Sequence, residues 1–346
     1  MNVPFPSPMS VVPEPQSGPL RLAVDYVHAS SPGALLTLPE TLAVFGFGGL
    51  TPERSEVADA RYLRVPLSAP AGSAPLEVWR ATGPVRHGFS DGIAHSSDGE
   101  LQFGALEVAE HQGDILQASQ TLYARLAAFW RGSGYPHLLR IWNYLDAITD
   151  GEGDDERYRQ FCVGRVRGLG QLDTRALPAA TAIGCRDGRR VLQVYWLAAR
   201  TPGTPVENPR QVSAYRYPRE YGPQSPSFAR ALLPPSAQMP LLLSGTASIV
   251  GHASQHAESL KAQLDETLTN LDSLIAVARA RRPDLPAHLG PSSRLKIYLR
   301  DGEDADAVKA QLAARLGNQV PYLLLQADVC RRELLVEIEG MHGVLA

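Results

Sequence analysis

The chain has 346 residues, 44% hydrophobic and 20% charged, enough to bury a full core and to build two domains. A formal net charge of -3 argues against a nucleic-acid coat or a membrane-surface role. The cysteines, Cys162, Cys185 and Cys330, are odd in number, widely spaced and without a CxxC, which indicates neither a disulfide framework nor a metal site and fits a reducing cytoplasm.

In chain order, the opening MNVPFPSPMSVVPEPQSGP is rich in Pro and Ser and lacks the basic and apolar regions of a targeting segment. No apolar run approaches the roughly 20 residues of a membrane span, so a cytoplasmic protein is expected. Residues 99–130 and 240–275 read alike. Each has a strand ending at a glycine (Gly104, Gly245), a short second run, a histidine (His111, His252) and a long amphipathic helix. In the second helix Leu260, Leu264, Leu268, Leu271 and Ile275 recur at helical spacing. The likeness continues through the strands HLLRIWNYL and SRLKIYL, the helical stretches DDERYRQFCVGRVRGLG and DADAVKAQLAARLG, and the Pro-led strand pairs 177–198 and 320–340. The repeated order is strand, helix, strand, helix, strand, strand. A period this long means an internal duplication rather than a solenoid. RTPGTPVENPR reads as a linker and sets the domains at 1–200 and 201–346.

One difference between the copies carries chemical information. Strand alternation in VEIEG puts Val336, Ile338 and Gly340 on one face and Glu337 and Glu339 on the other. The first copy has approximately Gln193 and Tyr195 at those places, so the strand does not need acids to fold, and the carboxylates point to chemistry in the second copy. Cys162 and Cys185 read as core residues, and the repeat-equivalent His111 and His252 as structural.

The second half, through YGPQSPSFARA, LLLSGTASIVG and VEIEG, resembles the RidA/YjgF family of small α+β subunits that trimerise and keep their sites in clefts between subunits. It departs from that family where an arginine should follow the proline of the penultimate strand, since Pro321 is followed by Tyr322, Leu323 and Leu324. Over nearly the whole chain, RIWNYLDAITDGEGDDERYRQFCVGR, RQVSAYRYPREYGPQSPSFARA, SGTAS and CRRELLVEIEG resemble the chorismatases. These enzymes remove the enolpyruvyl group of chorismate and carry two RidA-like halves in one chain. The resemblance implies an α+β fold of two tandem RidA/YjgF-like (chorismate mutase-like) domains with an inter-domain cleft. It implies a cofactor-free enzyme whose partner is chorismate, and it leaves the oligomeric state open.

The resemblance also makes Glu337 the catalytic acid, and makes Gly245 and Cys330 the pair found in hydroxybenzoate-forming members. Its subtype is the bifunctional one that yields 3- and 4-hydroxybenzoate, tied to pigment and ubiquinone biosynthesis. Chorismate is a dianion, and guanidinium forks suit its two carboxylates. Candidates in the matching motifs are Arg165, Arg219 and Arg230, with Tyr158, Tyr215, Tyr217, Gly245 and Thr246 completing the substrate site. Alternation in SAYRYP places Arg216 away from Tyr215 and Tyr217 and ranks it below Arg219. Protonating the enol-ether methylene requires Glu337 to hold its proton, and burial with Glu339 as a like-charged neighbour would favour that. Glu339 is expected to be the more solvated of the two. Plain hydrolysis of chorismate and a non-catalytic RidA-like binding protein are the alternatives.

Overall fold

A computed structural model describes residues 21–27, 31–69, 75–170 and 173–344; the Pro/Ser-rich opening lies outside them. The first strands are β1 (Ala23–Val27), β2 (Thr41–Phe47), β3 (Tyr62–Val65) and β4 (Leu76–Arg80), with the short helix α1 (Pro32–Leu36) between β1 and β2. They form a four-stranded sheet in the order β1-β4-β2-β3, an element the repeat pattern does not anticipate.

The first copy of the repeat follows as β5 (Arg86–Ser90), β6 (Ile93–Ser97), β7 (Leu101–Ala109), helix α2 (Ile115–Gly132), β8 (His137–Asp146), helix α3 (Arg157–Leu169), β9 (Ala179–Cys185) and β10 (Val191–Ala199). The second copy consists of β11 (Thr204–Val206), β12 (Ala231–Leu233), β13 (Leu241–Ala247), a hairpin of β14 (Ile249–Val250) and β15 (Ala253–Ser254), helix α4 (Leu260–Arg281), β16 (Ser293–Leu299), helix α5 (Ala305–Leu316), β17 (Tyr322–Gln326) and β18 (Val336–His342). The two six-stranded sheets have the orders β5-β6-β7-β10-β8-β9 and β11-β12-β13-β18-β16-β17, which correspond strand for strand. In both, the last two strands in sequence flank the strand before them, which pairs in parallel with the first of the two, β8 with β9 and β16 with β17. The architecture is α+β and the duplication is visible in its topology.

Local chemistry explains the elements. Asp114 caps α2 by accepting from Gln117 N at 2.9 Å, and Ser259 caps α4 by accepting from Ala262 N at 3.2 Å. Gly170 and Gly317, at φ 76° and 72°, end the two second helices in the left-handed region that an L side chain resists. On α4, Leu264, Leu268, Leu271, Leu274 and Ile275 are fully buried, each contributing about 1.5–3 kcal/mol against exposure.

Three expectations change. Neither strand ends at its glycine, because β7 runs past Gly104 to Ala109 and β13 past Gly245 to Ala247. The stretch read as a linker holds β11, paired to β12, so the chain enters the second sheet as soon as it leaves the first. SAYRYP is not extended: Ala214–Arg216 is a 3-10 turn, which removes the alternation argument about Arg216. The opposite faces of the sheets decide the rest. Helices cover one face of each six-stranded sheet, while the other faces pack with the four-stranded sheet around one core that includes Phe45, Trp79, Phe103, Trp142, Tyr195 and Tyr298. No helix among the described residues is long and apolar enough to cross a membrane.

Candidate active site

β18 lies in the middle of its sheet, paired on one side with β16 and on the other with β13, whose register shifts between Leu243 and Thr246. Val336 and Ile338 enter the core beneath α4 and α5. Glu337 and Glu339 occupy the other face, which is covered by the first half of the chain rather than by water; they are 6% and 1% exposed. Glu339 is therefore not the solvated member of the pair.

Glu339 is saturated with donors. Arg140 Nη2 donates to Oε2 at 2.6 Å, Trp142 Nε1 and Tyr298 OH donate to Oε1 at 2.9 and 2.8 Å, and the Thr181 hydroxyl also donates to Oε2. Lys296 Nζ lies 3.2 Å from Oε1. Although burial opposes charge, Lys296, Arg140 and the hydroxyl donors outweigh it and hold the Glu339 carboxyl below its ordinary range, so it is an anion. Glu337 is the converse. No side chain among the described residues hydrogen-bonds or ion-pairs its carboxyl, and burial, reinforced by the charge of Glu339, pushes it up to about 8 against the weaker pull of Arg140 and Arg230. One acid of the pair is fixed ionised and the other is kept protonated near neutral pH.

Thr181, on β9, joins the halves at this point. Its hydroxyl accepts from Arg140 Nη2 at 2.6 Å and from the Gly245 backbone N–H at 2.9 Å. A β-carbon at Gly245 would overlap Glu337 Oε1, so this glycine makes room for the acid itself and not only for a ligand.

Glu337 opens onto a cavity of about 230 Å³ between the halves, lined among others by Asn143, Ala182, Phe228 and Ala247. Of the residues expected from sequence, Tyr158, Arg165, Tyr217, Arg230, Gly245, Cys330 and Glu337 line it. Helix α3 carries Tyr158 in its first turn and Arg165 about two turns further on, both facing the cavity. Arg165 is 4% exposed, lies over the Tyr123 ring at 5.3 Å, and leaves Nε and Nη2 without a hydrogen-bond partner among the described residues. Arg230, also 4% exposed, gives Nη2 to Tyr217 OH at 2.7 Å and to Val212 O at 2.8 Å, and leaves Nε unpartnered among the described residues. Neither forms a salt bridge with a described residue. Buried guanidinium groups without a carboxylate are costly, and an anionic ligand would relieve that cost. The Cys330 thiol, half-buried on the wall, is kept protonated by burial and by the nearby Glu337.

Three expected residues lie outside the lining. Tyr215 is half-buried beneath the Arg216 guanidinium. Arg219 is exposed and holds Asp154 in a two-pronged ion pair at 2.8 and 2.5 Å. Thr246 is buried within β13 and donates to Ser244 O at 3.0 Å. The sequence reading passed over Arg331, whose guanidinium sits 4.0 Å over the Tyr221 ring at the cavity, and over Thr181, Arg140 and Lys296. The last two had a signal: LLRIWNYL and RLKIYL each carry one basic residue in the middle of an apolar strand. Among the described residues no cluster of His, Cys, Asp and Glu could hold a metal ion.

Residues 77–198 match the family described as "Chorismatase FkbO/Hyg5-like, N-terminal". A chorismatase of Streptomyces hygroscopicus is 39% identical over 273 residues, covering 77% of this chain and 78% of its own. A 3-hydroxybenzoate synthase of the same organism is 36% identical over 290 residues, covering 81% and 84%. A crystal structure of a chorismatase superposes with a TM-score of 0.84 at 35% identity, covering 94% of this chain and 99% of that one.

Proposed function

The chain belongs to the chorismatase family, and from that premise we propose that it converts chorismate to 3-hydroxybenzoate and pyruvate, with Glu337 as the general acid. The observation that carries this reading is a buried carboxyl, without a hydrogen-bond or ion-pair partner among the described residues and pushed up to about 8, facing a cavity that also holds two buried guanidinium groups without a salt bridge among the described residues. Arg165 and Arg230 take the two carboxylates of the substrate, with the Tyr158 and Tyr217 phenols beside them. Bound in this way, the substrate adds negative charge near Glu337 and strengthens its hold on the proton until the methylene accepts it.

Glu337 then donates to the terminal carbon of the enol ether, the arm becomes an electrophilic oxocarbenium-like centre, and pyruvate departs. Pyruvate leaves as the ring C3–O bond breaks, its electron pair going to the oxygen that becomes the pyruvate carbonyl. The C4 oxygen then bridges to C3 as it gives up its proton, its bond to C4 opens as it regains one, and loss of the C3 proton gives 3-hydroxybenzoate and restores the proton count. Loss of the C4 proton without migration gives 4-hydroxybenzoate instead. Hydroxybenzoate and pyruvate together contain every atom of chorismate, so no water and no redox equivalent is consumed. Hydrolysis, by contrast, takes up one water and keeps the ring a diene. A dry, close-fitting wall favours the first outcome, and Gly245 with the protonated Cys330 thiol forms part of it. A share of 4-hydroxybenzoate, and with it a place in pigment or ubiquinone biosynthesis, is what the subtype resemblance adds. The domains follow residues 1–200 and 201–346, which the break between Ala199 and Thr204 supports.

The test is incubation of the protein with chorismate, with pyruvate and the ring product assayed together. Stoichiometric pyruvate and 3-hydroxybenzoate are expected. A dihydroxycyclohexadiene carboxylate would instead assign hydrolysis, and no pyruvate at all would leave a binding protein.

A further inference from the structure

On the same face of β18 as Glu337, further along the strand from the cavity, the sheets bury a lysine and a third carboxylate that the reaction does not touch. Lys296 on β16 is 3% exposed and Glu77 on β4 is 1% exposed. Lys296 Nζ lies 2.9 Å from Glu77 Oε2 and 3.2 Å from Glu339 Oε1, bridging the four-stranded sheet to β18. Trp79 Nε1 donates to Glu77 Oε1 at 2.6 Å, and Arg140 closes the cluster on Glu339. Glu77 and Glu339 carry two negative charges, and Lys296 and Arg140 two positive ones. Glu337, two residues from Glu339 and facing the same interface, is the fifth group. The other four charges balance, so a proton lost from Glu337 adds a negative charge beside the Glu339 anion in a dry interior, which Arg140 and Arg230 oppose.

We propose that Glu77 and Lys296 are positioning residues that act through Glu339 to set the pH at which Glu337 releases its proton. This rests on Glu337 being the acid. It also gives the four-stranded sheet a part in the chemistry, since Glu77 comes from it. The phenols that face the cluster add no charge to it. Burial keeps the phenols of Tyr26, Tyr144, Tyr195 and Tyr298 neutral, from β1, β8, β10 and β16 in turn. Arg294 pairs with Asp25 at 3.2 Å. On the cavity side Arg230 faces Glu337 as a cation, and Cys330 and Tyr158 are held protonated by burial.

The test follows the carboxyl C=O infrared band that Glu337→Gln removes, titrated in the unliganded protein, alongside the pH profile of kcat/KM for pyruvate release. Glu77→Gln deletes one negative charge and keeps a carbonyl for the Trp79 N–H. It is expected to lower the Glu337 midpoint by on the order of 1 pH unit, and the alkaline limb of kcat/KM with it. The double variant Glu77→Gln/Lys296→Met removes the whole pair and is expected to return the midpoint close to wild type. A merely structural role predicts further damage from the second change, not rescue. An unmoved or raised midpoint in Glu77→Gln overturns the proposal, as does a double variant that folds without restoring it. Should the double variant not fold, the single variant decides alone. Retained turnover in Glu337→Gln would defeat the acid assignment, which the band titration tests separately from the tuning.

Discussion

At the scale of single residues, Glu337 ties activity and stability to pH in the same sense, since both fall as pH rises toward the point where it gives up its proton. Glu337→Gln is expected to reduce pyruvate release by roughly 10²–10⁴-fold, because the amide cannot donate the proton; release within threefold of wild type, about 0.65 kcal/mol in barrier, would refute the assignment. The folded-state pKa of about 8 stands above the ordinary 4.5, so the folded protein binds this proton more tightly than the unfolded chain. The contribution to stability is complete below the ordinary value and is lost as pH rises through the raised one. Glu337→Gln should therefore gain stability relative to wild type across that interval, which denaturant unfolding at several pH values measures; a difference independent of pH would contradict the burial argument. Gly245→Ala presses a methyl group against Glu337 Oε1 and must turn the carboxyl aside. Turnover is expected to fall by about 10²-fold, the usual cost of a misplacement near 1 Å, instead of only changing the product. Cys330→Ala leaves the acid in place, so it should keep turnover and alter the ratio of ring products on chromatography.

At the scale of elements, the site depends on how closely α3 packs on α2. A β-carbon at Gly164 would strike Leu116 O, and one at Gly168 would strike Gln120 O, so these two glycines let the helices meet backbone to backbone. Gly164→Ala is expected to destabilise the protein by about 1–3 kcal/mol in urea unfolding. The same change should raise KM, because α3 also carries Tyr158 and Arg165 to the cavity; unchanged stability with unchanged KM would show that the contact can yield. Alternation along β18 was readable from VEIEG because the side-chain period of a strand is fixed at two. SAYRYP was not readable in the same way, since Pro218 and the turn Ala214–Arg216 replace a strand that four polar and aromatic residues imitate.

At the scale of the whole molecule, three sheets share one core, and the donors that hold Glu339 come from both halves: Arg140, Trp142 and Thr181 from the first, Lys296 and Tyr298 from the second. Residues 201–346 expressed alone are expected to release no pyruvate, and co-expression with residues 1–200 to restore it. Release by the isolated half would mean that Glu339 does not need its partners. The amino-acid sequence by itself determined the duplication, the order of strands and helices within each copy, the acid pair and a minority of the cavity lining, because periodicity, caps and long motifs are local properties of the chain. Only the tertiary structure decided that the acid face of β18 is buried, that Glu339 is the ionised member, that Gly245 makes room for Glu337, and that Arg219 spends its charge on Asp154. Those outcomes depend on which sheet covers which face, and charge and proton affinity inside a protein are set by neighbours that lie as far as 199 positions away along the chain.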